Sequence, residues 1–300
     1  MTHGSFHSLL ASNPLIFDGG LGTRLEDRGN DITGELWSAA ILRNNPIEVQ
    51  AAHEDFFRAG ADVATTCSYQ VTFDALGIEA EGLLRRSVAL ARRAADVVGA
   101  EEGYARPLYV AASIGPYGAG PGEGTEYDGE YDVDMNGLAD FHRQRIEVLA
   151  DTDADFLLAE TIPSIDEVEV LIQLLEMTGR EFAISVTGVL AQNAQLVDQL
   201  AELVRDHPSV SAVGVNCCSV EVARTAVQQL SENVDVPILA YPNSGETWDH
   251  VVRQWQPDRE GSAGATAGAQ LLLADGARHV GGCCRVTPEQ IRMIRQDAAQ

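Results

Sequence analysis

Three hundred residues are more than a small domain needs and enough for one α/β barrel, which takes about 250. The apolar share of 45% suits a chain with a buried core, no apolar run approaches the roughly 20 residues of a membrane span, and residues 1–13 lack the pattern of a signal peptide, so a cytoplasmic protein is expected. The net charge of -25 sets 45 acidic residues against 20 basic ones, all arginine, which excludes lysine chemistry and disfavours nucleic acid or anionic lipid as partners.

Along the chain, short β-rich runs alternate with amphipathic helical patterns. The expected strands are 15–17, 61–66, 108–113, 155–160, 182–187, 212–216, 237–241 and 278–281. Between them the 3.6-residue period predicts helices over 46–59, 81–98, 137–150, 165–178, 195–205 and 220–231. Ser164 with Glu167 reads as a capping box, and Thr287-Pro288-Glu289-Gln290 as a cap followed by a first-turn proline. Two segments break the alternation. The first is the glycine- and acid-rich stretch 115–137, long enough for a lid and carrying Tyr117, Tyr127 and Tyr131; the second is 257–268.

Strands that alternate with helices imply parallel neighbours, and eight such units predict a single-domain (β/α)8 barrel over 1–300, with 1–13 a loose extension. An open doubly wound sheet is the structural alternative. In a barrel the carboxyl ends of the strands converge on one face. Those ends read Asp18-Gly19-Gly20, Thr65-Thr66-Cys67-Ser68-Tyr69, Ser113-Ile114-Gly115, Glu160-Thr161, Asn216-Cys217-Cys218, Tyr241-Pro242-Asn243 and Gly282-Cys283-Cys284.

The five cysteines, an odd number, do not suggest a disulfide framework. Thiolates from two strand ends suit a thiophilic metal with an open fourth position, zinc foremost. Buried apolar cysteines or a redox pair remain alternatives, although a bridge between neighbours such as Cys283 and Cys284 would be strained. Neighbours on a strand face opposite ways, so Cys217 and Cys218 are not both expected to point inward. The seven histidines are scattered and expected mostly at the surface, and Trp248 and Trp255 are expected to pack. A thiolate-only site activates water poorly but suits a thiol substrate, which points to alkyl transfer onto sulfur. Asp18 and Glu160 are candidates to receive an ammonium group. The glycines after the first strand could present backbone N–H groups to a carboxylate.

These residues assemble into a resemblance. Gly214-Val215-Asn216-Cys217 and Gly282-Cys283-Cys284-Arg285, with Asp18-Gly19-Gly20 and Glu160-Thr161-Ile162-Pro163, resemble the motifs of the homocysteine S-methyltransferase family over about 17–291. The resemblance implies catalytic zinc on Cys217, Cys283 and Cys284, with the sulfur of homocysteine as the exchangeable ligand. It also implies Asp18 and Glu160 on the substrate ammonium, Gly19 and Gly20 on its carboxylate, and further contacts from Thr65, Tyr69 and Asn216. Ser68-Tyr69-Gln70, Tyr117-Gly118 and Tyr241–Glu246 resemble the branch that uses a sulfonium donor, S-methylmethionine or S-adenosylmethionine, with betaine as the alternative. Thr187-Gly188-Val189-Leu190 departs from the family by being less polar, and Cys67 and Cys218 are extra thiols. A barrel zinc hydrolase, or a zinc-storage or redox protein with Cys218 or Cys67 as fourth ligand, would be the competing readings. A monomer or small homo-oligomer is expected.

Overall fold

The computed structural model describes residues 14–32, 34, 36–119, 125–249, 254–256 and 264–298, and for 247–249, 254–256 and 265 the backbone alone. Seven strands form one parallel sheet in the order β1 (Val63–Thr65), β2 (Tyr109–Ile114), β3 (Phe156–Ile162), β4 (Phe182–Val186), β5 (Val210–Asn216), β6 (Ile238–Tyr241) and β9 (His279–Val280). A separate antiparallel pair, β7 (Thr247–Asp249) with β8 (Gln254–Gln256), interrupts the connection from β6 to β9. Its three-residue strands are too short to leave a period in the sequence.

The sheet curls until its first and last strands flank residues 15–18. Ile16 bridges Val280 and Phe17 bridges Val63, both parallel. Phe17 N–H donates to Val280 O at 2.8 Å, Asp18 N–H to Val63 O at 2.9 Å and Gly282 N–H to Asp18 O at 3.0 Å. The expected first strand shortens to these bridges because side chains take over part of its ladder. Asp62 accepts the N–H of Ile16 at 2.8 Å, and His279 Nδ1 accepts that of Leu15 at 3.1 Å.

Period-two alternation on the curled sheet gives two cores. Leu15, Phe17, Val63, Ala111, Phe156, Leu158, Ala183, Ala212, Leu239 and Tyr241 fill the inside, where Phe17 stacks on Tyr241 at 5.7 Å. The opposite faces, such as Leu157 and Ala159, join a larger core under the helices. Helix 46–59 lies where expected, with Pro46 in its first turn and Gly60 left-handed at its end. Helices Glu79–Glu101, Met135–Ala150, Ile165–Met177, Ala194–Asp206 and Val220–Asn233 match their expected positions within a few residues, whereas Leu21–Asp27 and Trp37–Asn44 gave no clear periodic signal.

One expectation is corrected. Ser164 Oγ does accept from Glu167 N–H at 3.5 Å, but the Glu167 side chain turns inward instead of closing the capping box. It accepts the Tyr117 N–H at 2.6 Å and meets buried His142 Nε2 at 2.7 Å. Of the four histidines among the described residues, His53, His142 and His279 are fully buried and His207 is half-buried, so these do not follow the surface placement expected for most of the seven. No helix among the described residues is long and apolar enough to cross a membrane. Residues 1–13 lie outside the described residues, as do most of 257–268 and the side chains of Trp248 and Trp255.

Candidate active site

The metal-ligand candidates meet because two strand ends leave regular geometry. Cys217 follows β5 with φ +52°, a left-handed turn that aims its sulfur inward, while Cys218 packs into the outer core. After β9, Gly281 and Gly282 allow close backbone approach. A Cβ at Gly281 would lie 2.6 Å from Phe17 Cβ, and one at Gly282 2.2 Å from Val286 Cγ1. Cys283 N–H then donates to Pro242 O at 2.9 Å and Cys284 N–H to Asn243 Oδ1 at 3.1 Å, which pins the pair to the loop after β6.

The three sulfurs lie within 4.8 Å of one another, with Cys217 and Cys284 at 3.5 Å. A tetrahedral zinc with bonds of about 2.3 Å spaces its sulfurs about 3.8 Å apart, so this donor set fits the ion in chemistry and in size. Among the described residues no fourth cysteine, histidine or carboxylate completes the group. Cys67 instead donates to Ser38 O at 3.4 Å. Without metal the cluster shares charge unequally. S–H donation from Cys283, then from Cys284, holds the Cys217 thiol well below its usual range, and the same bonds raise Cys283 and Cys284.

The cluster opens into a cavity of about 530 Å³ whose wall includes Gly19, Gly20, Thr65, Tyr69 and Glu160, all expected at the site. Glu160 accepts from the Ser113 hydroxyl and, at 3.1 Å, from Tyr241 OH, and burial pushes its carboxyl up to about 7. Its neighbour Thr161 adopts φ +63° at a shift in the register between β3 and β4, a bulge that turns the strand end at the cavity. Asp18 sits behind this wall. It accepts both the N–H and the hydroxyl of Thr65 at 2.9 Å, and burial raises its carboxyl well above the ordinary range, with nearby Glu160 adding to the shift.

Asn216 also lies behind the wall, as a fully buried brace. It accepts from Thr161 N–H at 2.9 Å and Ser185 Oγ at 2.8 Å, and donates to Thr161 Oγ1 at 2.7 Å and Cys283 Sγ at 3.9 Å. The N–H of Gly20 is taken by Val286 O at 3.0 Å. The glycine pair is required for space: a Cβ at Gly19 would stand 2.5 Å from Val286 O, and one at Gly20 2.8 Å from Cys283 O.

Several wall residues had no role assigned from the sequence. The loop after β2 brings Glu126 and Tyr127 onto the cavity, with Tyr127 OH 3.7 Å from Cys217 Sγ. Arg285 stands at φ +66° beside the cluster and pairs with Glu246 at 2.5 Å and Glu26 at 3.2 Å. The signal for the first two was the long, acid-rich segment 115–137, expected as a lid and carrying Tyr127.

A curled parallel α/β sheet carries at its carboxyl edge a thiol trio that could hold a thiophilic metal, opening onto a cavity lined by carboxylates. The homocysteine S-methyltransferase family model matches residues 15–298, and the chain belongs to that family. It is 39% identical over 292 residues to the homocysteine S-methyltransferase of Escherichia coli, with 94% of each chain covered, and 37% identical to YbgG of Bacillus subtilis, with 95% of each covered. The crystal structure of the E. coli homocysteine methyltransferase MmuM in its metallated form superposes with a TM-score of 0.82 at 34% identity, covering 98% of this chain and 100% of that one. The oxidized form gives 0.85.

Proposed function

We propose that this chain methylates the thiol of homocysteine with a sulfonium donor, using zinc on Cys217, Cys283 and Cys284. The observation that carries the reading is the all-sulfur trio with an open side toward a cavity that also holds Glu160. Zinc bound there would supply the Lewis acidity that keeps a substrate thiol deprotonated at neutral pH.

The chain's own residues do the rest. Glu160, with Asp18 behind Thr65, holds the substrate ammonium, and an incoming cation draws both buried carboxyls back to the charged state. Thr65 and Tyr69 shape the same pocket. The carboxylate meets backbone N–H groups of the Gly19 turn other than that of Gly20, which Val286 already takes. Asn216 donates to Cys283 and so fixes that sulfur's direction. Two molecules held side by side, thiolate against donor methyl, need little further help, because positioning alone removes much of the barrel enzyme's barrier. The bond from thiolate sulfur to methyl carbon forms as the donor's sulfur–carbon bond breaks, and that sulfur leaves as a neutral thioether.

The same reading takes residues 15–17 as the first of eight strands in a (β/α)8 barrel spanning 1–300 as one domain, acting in the cytoplasm as a monomer or small homo-oligomer. The deciding assay compares methionine formation from homocysteine with S-methylmethionine, S-adenosylmethionine and betaine, alongside metal analysis of the purified protein. One zinc per chain and turnover with a sulfonium are expected. Turnover with betaine alone, or full activity without metal, would refute it.

A further inference from the structure

Part of the cavity wall comes from the long connection between β2 and helix Met135–Ala150. Glu126 and Tyr127 occupy its one-turn 3-10 segment, Thr125–Tyr127. Glu126 is 5% exposed, yet it lines the cavity with Tyr69 and Tyr127. It does not join the cluster of ligand atoms within 4.8 Å, so it stands beside the metal site and outside it.

The turn is firmly placed. Thr125 Oγ1 donates to Gly118 O at 2.9 Å, and Gly129 N–H to Thr125 O at 3.1 Å. Gly118 has no space for a side chain, since a Cβ would lie 2.6 Å from Glu126 N. Upstream, Tyr117 donates its N–H to buried Glu167 at 2.6 Å, and its ring meets those of Tyr131 and Phe141 edge-on. Such anchoring is what a recognition group needs if it is to act without reorganising.

The charge of the cavity points to its ligand. Glu26, Glu126 and Glu160 line it, and among the described residues Arg285 is the one basic side chain on the wall, already paired to Glu246 and Glu26. Carboxylates enclosed with phenol rings favour a soft cation. Glu160 is accounted for by the substrate ammonium, and Glu126 lies on the same wall with the rings of Tyr69 and Tyr127, a setting that suits a second positive charge.

We propose that Glu126 is the specificity determinant for positive charge on the methyl donor, acting with the rings of Tyr69 and Tyr127. This rests on the sulfonium reading above. The donor is cationic before transfer and neutral after it, so Glu126 favours the bound donor over the spent thioether and so eases product release. Because the charge is already dispersing at the transition state, the carboxylate contributes more to donor binding than to the chemical step.

The test uses zinc-loaded wild type, Glu126→Gln and Glu126→Asp. In Glu126→Gln the KM for S-methylmethionine is expected to rise about tenfold or more, with kcat and the homocysteine KM nearly unchanged. Titration calorimetry should show the same loss of affinity for S-methylmethionine and none for methionine, which has the same skeleton without the charge. Glu126→Asp, which keeps the charge, should retain the preference for the cation. Equal losses for both ligands, or no loss for the sulfonium, would overturn the inference while leaving an active wild type to uphold the function. A wild type that makes no methionine from any sulfonium would overturn the function itself.

Discussion

At the scale of single residues, neighbours of the same type are separated by where their backbone sends them. Cys217 and Cys218 are adjacent, yet one faces the cavity from a left-handed turn and the other sits in the outer core, where burial pushes its thiol beyond the usual range. Cys217→Ala should therefore lose zinc and turnover together, whereas Cys218→Ala should keep one metal per chain and cost only the packing of a small buried group, about 1–2 kcal/mol in denaturant unfolding. Glu160 gives a pH prediction. Its carboxyl titrates near 7, and only the ionised form attracts an ammonium, so affinity for methionine should fall as pH drops through about 7. Methionine has no thiol to ionise, so the inflection reports the site carboxyls, and Glu160→Gln should remove the part centred near 7 in calorimetry run from pH 5.5 to 8.5, leaving any part due to Asp18.

At the scale of elements, the sequence made the strand and helix alternation legible because hydrophobic period is local information. Seven of the eight expected strands appear in one sheet, and the eighth survives as the bridges of Ile16 and Phe17. What could not be read depends on partners far away in the chain. Glu167 looked like a local cap but is claimed by His142 and Tyr117, and Tyr127 reaches Cys217 across 90 positions. His279 looked ordinary because nothing nearby says that its ring accepts the N–H of Leu15, 264 residues away. Local caps, by contrast, hold when their side chains have nowhere else to go. Thr287 N–H donates to Gln290 Oε1 at 2.9 Å and Gln290 N–H to Thr287 Oγ1 at 3.4 Å. Removing this box with Thr287→Ala should cost about 1 kcal/mol, measured as a shift of the denaturation midpoint at constant m-value.

At the scale of the whole molecule, the net charge of -25 acts on the fold as self-repulsion. Many arginines are already committed to neighbouring acids, as in Arg24 with Asp55, Arg58 with Glu101 and Arg224 with Asp275, and they cannot balance the excess. The melting temperature should therefore rise by several degrees between about 10 mM and 500 mM sodium chloride as the repulsion is screened. A flat or falling curve would show that local ion pairs outweigh the global field.

The seam at residues 15–18 has a kinetic consequence. Two of the three clustered cysteines, Cys283 and Cys284, follow β9, β9 is held in place by residues near Ile16, and Arg285 N–H donates to Thr23 Oγ1 across 262 positions. Contacts of such sequence separation form late, because their loop entropy is lost before they return anything. The cysteine trio thus cannot serve as a nucleus: the rate-limiting collapse should run at one speed with zinc or with a chelator, and metal capture should follow as a separate, later phase in stopped-flow refolding.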